Sequence, residues 1–211
     1  MPGARPLYHV LMASSDQVYE QMASVWEGLR ERFPAYELLL PGSPTFVCLA
    51  ESCPSHCCKI YSVSLGEREV ERMKRFSGLE MVDFVECEEG RPITLPLAQP
   101  YLLTRREGTC GLLGHDLRCG QYEGRPDACR LYPHFVIVIR TVDSKPIYSD
   151  VTNVRAAVIA AAGGGGHRGF LPLLLRHLEC PGFSGPPLAE EGWRELIRET
   201  ARLQYEEAAL A

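Results

Sequence analysis

Eight of the nine cysteines in this 211-residue chain fall into one ordered constellation. Cys48, Cys53, Cys57 and Cys58 open it, Cys110, Cys119 and Cys129 follow, and Cys180 closes it. Clustered thiols that stay reduced act as thiolates, and thiolates hold soft or borderline metals, chiefly zinc or iron–sulfur clusters. Their spacing suits that role, because ligands that close short loops cost little chain entropy. Gly111, Gly114, Gly120 and Gly124 let the backbone turn between the second set. Side chains of adjacent residues tend to diverge, so Cys57 and Cys58 are expected to face different metals, unless one of them is not a ligand. Eight thiols allow two four-thiolate sites, one [4Fe–4S] cluster beside a zinc, or one cluster with thiols to spare. The competing reading is inert cysteine with a disulfide or two; an odd cysteine count and a reducing compartment weigh against it.

The residues between the thiols carry charge and aromatic surface. Arg125 and Arg130 flank Cys129, and a guanidinium there can neutralise a dianionic thiolate centre or hydrogen-bond to its sulfurs. The alternative is a clamp on an anionic substrate. His56 lies between ligands and is the best-placed nitrogen donor, with the reading of a loop histidine weighed against it. His115 and His134 read as loop or packing histidines. Cys87 sits in Glu86-Cys-Glu-Glu89, whose negative charge disfavours a thiolate, and it is excluded from the ligand set. Tyr122 reads as a cover over the centre, and Tyr132 before Pro133 as an extended residue leading into a strand. No catalytic residue declares itself: there is no Gly-x-Ser-x-Gly elbow and no His-Glu-x-x-His helix, and Gly163 to Gly166 lack the Lys-Ser/Thr ending of a phosphate loop.

Phe46-Val-Cys48, Cys53 and Cys57-Cys58, then Gly108-Thr-Cys110-Gly-Leu-Leu, Cys119-Gln-Tyr-Glu-Gly-Arg-Pro-Asp-Ala-Cys129-Arg-Leu-Tyr-Pro133 and Cys180-Pro-Gly-Phe resemble the YkgJ-type cysteine-cluster family. The resemblance spans about 46–185, and Arg-Pro-x-x-Cys-Arg-x-Tyr-Pro is its most specific block. It implies a zinc- or iron-chelating domain with the eight cysteines as ligands. A bacterial flagellin lysine methylase that carries an iron–sulfur cluster has a similar cysteine pattern. That implies a cluster-dependent protein-modifying enzyme as one alternative, beside a purely structural zinc domain that binds a protein partner. This chain departs from the family's pattern in the four residues between Cys48 and Cys53 and in keeping only Gly182 and Gly185 after the last cysteine.

Composition sets the frame around the cysteines. Hydrophobic residues at 45% and charged residues at 23% are ordinary globular values. A formal net charge of -5 without a basic run argues against nucleic acid as a partner and leaves a protein partner or substrate. No run reaches the ~20 apolar residues of a membrane helix, and 1–17 has no secretory apolar region, so the chain is expected in the cytoplasm without a membrane.

A capping pattern at Ser14 to Gln17 opens a helix over about 14–33, with Val18, Met22, Val25, Trp26 and Leu29 on one face. A second, Ser64-Leu-Gly-Glu67, opens a helix to about Phe76. Residues 59–65, 81–86 and 101–105 read as strands, and 135–140 with 146–151 as a hairpin. Residues 154–162, 171–178 and 190–207 read as helices. The expected fold is α+β: one domain over 1–211 whose irregular, metal-organised core with short strands covers about 44–187, with a helix added at each end.

Overall fold

The structure is a computed structural model that describes residues 15–53, 56–147 and 150–206. Its elements run α1 (Ser15–Glu27), β1 (Tyr36–Leu38), β2 (Pro44–Phe46), α2 (His56–Ile60), β3 (Ser64–Leu65), α3 (Glu67–Ser77), β4 (Cys87–Glu88), β5 (Arg91–Pro92), β6 (Tyr101–Leu102), β7 (Arg105–Arg106) and β8 (Thr109–Cys110). They continue with α4 (Asp127–Leu131), β9 (His134–Arg140), β10 (Lys145–Ile147), α5 (Val151–Ala162), β11 (Phe170–His177), β12 (Phe183–Pro187) and α6 (Glu190–Ala201). The fold is α+β, as the sequence implies.

The apolar residues sort into two clusters. The larger is an antiparallel sheet in the order β1-β11-β9-β10, packed with α1, α5 and α6. Val136 to Ile139 and Leu171 to Leu175, apart from Pro172, belong to its buried core. Trp193 is fully buried in it and donates its indole N–H to the Leu39 carbonyl at 2.8 Å. The smaller cluster gathers Val63, Leu65, Val70, Met73, Phe84, Val85 and Leu103, with Cys110 and Cys129 packed against it. The cysteine-bearing lobe therefore has a modest core of its own, and the chain's main core lies elsewhere.

The larger cluster overturns one reading of the sequence. Residues 171–178 are not a helix: they form β11, the strand between β1 and β9. Both faces of β11 are covered, so its run of leucines shows neither the alternation of a half-exposed strand nor any other period that separates it from a buried helix. Pro172 is tolerated because Leu174 turns its carbonyl to the Leu39 N–H. Residues of the same parity face that side, and at Pro172 the neighbouring β1 has already ended, so no donor is missed.

Three local expectations are also corrected. Ser64 does not cap α3; Ser64 and Leu65 pair with β6, and the cap is Gly66, whose N–H donates to the Glu69 carboxylate at 2.9 Å. Residues 81–86 begin as a 3-10 turn over Met81–Asp83, because Asp83 returns its carboxylate to the Glu80 N–H. The segment 59–65 is divided between the end of α2 and β3. The hairpin holds as β9 and β10, and Ser14 of the first capping pattern lies outside the described residues. Among the described residues no helix is long and apolar enough to cross a membrane.

Candidate metal centre

Four stretches of chain bring the predicted ligands together. The first follows β2, where Phe46 pairs with Phe183 of β12 and the Val47 N–H donates to the Gly182 carbonyl at 2.7 Å. Gly182 is needed for that approach: a Cβ there would stand 2.6 Å from the Phe46 ring and 2.7 Å from the Val47 carbonyl. Cys48 leaves this ladder, Cys53 ends a 3-10 turn, and α2 carries Cys57 and Cys58. The second stretch is β8 with Cys110 and the tight turns after it, which return Cys119 beside Leu113. The third is α4 with Cys129, and the fourth is the turn after β11 with Cys180.

Seven of the eight thiols, from Cys48, Cys53, Cys57, Cys58, Cys110, Cys119 and Cys129, line one cavity of about 440 Å³. Val63, Leu103, Leu112 and Leu117 give it apolar walls. Cys180 is not among the lining residues; the charges its thiol feels come from Cys53 and Cys57. The sulfurs of Cys57 and Cys58 are 3.9 Å apart, so this adjacent pair does not diverge as expected. Among the described residues no three His, Cys, Asp or Glu side chains converge as closely as a single ion requires. Cys87 lies outside the cavity, with its sulfur directed at the Val82 and Val85 carbonyls.

The electrostatics fit a cation. Hydrogen bonding to Cys57 and then burial push the Cys58 thiol up, and burial pushes Cys110, Cys119 and Cys180 up. Burial raises Cys129 to about 12, and the charges of Cys110, Cys119 and Cys57 add to it. Without a metal these thiols stay protonated at neutral pH. A bound cation offsets both the burial and the mutual repulsion, so binding expels protons and tightens as pH rises. The donor set fits a thiophilic metal.

The family model described as a "putative zinc- or iron-chelating domain" matches residues 47–153, half of the chain. The chain belongs to this family. The matched span holds seven of the eight clustered cysteines, and Cys180 lies beyond it. No curated protein and no solved structure matches the chain.

The two predicted arginines part company. Arg125 lines the cavity, stacks its guanidinium 4.0 Å above the Tyr122 ring, and lowers the cost of a thiolate at Cys119 and Cys129. Arg130 instead pairs with Asp127 at 3.2 Å and Glu199 at 3.3 Å. His134 packs edge-on between Phe46 and Phe183, and burial lowers its pKa to about 4, so it stays neutral. His115 is exposed, and the His56 side chain lies outside what is described.

Two positioning groups escape sequence reasoning. Glu69 is buried; one carboxylate oxygen takes the Gly66 N–H and the other takes the Asp127 N–H at 2.8 Å. Arg72 then reaches Asp127 at 2.7 Å, so α3 grips the start of the helix that carries Cys129. The signal for Asp127 is its place between Arg125 and Cys129; Glu69 shows only as an acid three residues after a glycine.

Arg105 is the second group. Its guanidinium donates to the carbonyls of Tyr61 at 2.5 Å, of Lys59 at 2.6 Å, and of Gly108. It thus caps the end of α2 and ties Cys57 and Cys58 to the strand bearing Cys110. Arg105→Ala is expected to weaken metal binding about ten-fold, the equivalent of losing about one charge-assisted hydrogen bond. Arg105→Lys should not restore it, since one ammonium cannot match the planar fork. Competition with a chromophoric chelator measures both; a wild-type affinity in Arg105→Ala removes the brace from the account.

Proposed function

We propose that the chain is a cytoplasmic thiolate metal protein whose cavity holds an iron–sulfur cluster. One observation carries the metal reading: seven thiols from separated stretches of chain face one cavity, and their surroundings there keep Cys58, Cys110, Cys119 and Cys129 protonated unless a cation is present. The cluster form is supported by volume. A cavity of about 440 Å³ is far more than a single ion fills, and its apolar walls suit a centre kept from water. Such a cluster supplies one-electron transfer or Lewis-acid chemistry when bound, and Arg125 partly neutralises its charge.

A second reading is a structural zinc site serving a protein partner. It is favoured by the Cys57–Cys58 separation of 3.9 Å, close to the ~3.8 Å between two thiolates on one tetrahedral zinc at ~2.3 Å per bond. Elemental analysis with a visible spectrum on anaerobically purified protein separates the two. Iron with acid-labile sulfide and a brown colour supports the cluster. Stoichiometric zinc and no colour supports the structural site. Protein purified without metal that takes up neither iron nor zinc overturns both.

A further inference from the structure

We propose that the seam between the two lobes holds an aromatic cage for a small organic cation, a free quaternary ammonium ion of the choline type. The cage is a cavity of about 240 Å³ that lies beside the metal cavity and has walls of its own.

Both lobes build it. Tyr36 of β1, Phe135 of β9 and His177 of β11 come from the larger sheet, Tyr61 follows α2, and Tyr132 follows α4. All five line the cavity. Their planes are inclined to one another. Tyr36 and Tyr61 stand at 69° and 81° to His177, with centroids 5.1 and 6.3 Å from it. Tyr132 lies 5.5 Å from Tyr61 at 55°, and 5.6 Å from His177 at 43°. Rings set at such angles wall a space instead of closing into one flat stack. The Tyr61 hydroxyl meets His177 Nε2 at 3.1 Å and ties the walls of the two lobes together, so little ordering is left for a ligand to impose. Ser62 and Ala128, both exposed, also line the cavity and leave it open to solvent.

Charge selects the ligand. Aromatic faces are electron-rich and attract a cation, most strongly one that has shed its water. Among the described residues, guanidinium groups lie over the rings of Phe33, Phe76, Tyr122 and Phe183, and over none of Tyr36, Tyr132 and Phe135. His134, a further wall, is kept neutral by burial. The Glu179 carboxylate stands 3.9 Å from His177 Nδ1 and adds negative charge at the side. No Lys, Arg, Asp or Glu is among the described residues of the wall itself. A primary ammonium would find no carboxylate there to replace its water, whereas a weakly hydrated quaternary ion needs none. Cys57 and Cys129 line both cavities, so an anionic metal centre would add to the attraction. That last contribution rests on the metal reading above; the rings act without it.

Calorimetric titration of the full, metal-loaded chain tests this with two probes: choline, and dimethylbutanol, its uncharged isostere with carbon in place of nitrogen. Choline is expected to bind at least about ten-fold more tightly than the alcohol. Tyr36→Leu should weaken choline about ten-fold and keep its metal, because Tyr36 lines the second cavity and not the first. Tyr36→Phe keeps the ring and should bind as the wild type does. Ser62→Lys brings a competing cation to the exposed rim, touches neither core, and should weaken choline about as much as Tyr36→Leu. Equal binding of the two probes, no choline binding by protein that holds its metal, or wild-type affinity in either weakened variant overturns the cage and leaves the metal centre as it stands. Protein that takes up no metal yet prefers choline keeps the cage and removes the metal reading.

Discussion

Cys129→Ser is expected to lose metal affinity by more than about 100-fold, beyond the 10- to 100-fold that follows loss of a group one step removed from a metal. The thiol stands on α4, faces the cavity, and is held at about 12 by burial, then by Cys110, Cys119 and Cys57. A serine hydroxyl fits the same space but does not ionise there and is a hard donor, poorly matched to a thiophilic metal. The metal-free variant should therefore fold as the metal-free wild type does, while the stabilisation that the wild type gains from bound metal disappears. Cys87→Ser is the control: its sulfur is turned to the carbonyls of Val82 and Val85, and the variant should keep full metal content. Metal analysis after gel filtration, with chelator competition for affinity, reads both. A Cys129→Ser protein that keeps stoichiometric metal at wild-type affinity removes Cys129 from the centre.

The pH response has a defined sign. Cys58, Cys110, Cys119 and Cys129 all have thiols raised by their surroundings, so protons and metal compete for the same sulfurs. Acidification displaces the metal, and uptake releases protons into an unbuffered solution. Arg125 works against that competition by favouring thiolates at Cys119 and Cys129.

The gathering of the cysteines is legible in the sequence because each is a token whose meaning does not depend on its neighbours' conformation. Seven of the eight named residues meet at one cavity. The fold was less legible where meaning depends on what lies across space. Phe170–His177 is apolar on both faces, so no period marks it as a strand. Arg105 looks like any surface cation until the carbonyls of Lys59, Tyr61 and Gly108 are seen to converge on it. Arg130 has the sequence position of a residue facing the centre, yet Asp127 and Glu199 take its guanidinium. Adjacency suggested divergence for Cys57 and Cys58, but rotamers on the short helix α2 bring the sulfurs to 3.9 Å.

Removing the metal is expected to open one lobe and spare the other. The smaller cluster has seven buried apolar residues, Val63 to Leu103, and its strands β3 to β8 are two residues each. So small a core leaves little margin against chain entropy, and elements of that length do not hold without further ties. Metal ligation by the thiols that line the cavity is expected to supply such ties by fixing α2, β8 and α4 to one another. The larger cluster owes nothing to the thiols: β9 and β11 pair over seven residues, Trp193 is sealed beneath Leu39, and Gln204 with Tyr205 hooks onto Val136. After chelation, amide hydrogen exchange should rise by orders of magnitude in α2, α3 and β6 to β8, while β9 and β11 keep their protection. The ion pairs from Arg72 through Asp127 and Arg130 to Glu199, with the Tyr61–His177 hydrogen bond at 3.1 Å, bridge the lobes, and partly buried pairs of this kind contribute little net stability. If β9 and β11 exchange as fast as α2 once metal is gone, that bridge is strong, and the metal centre organises the whole fold rather than its own lobe.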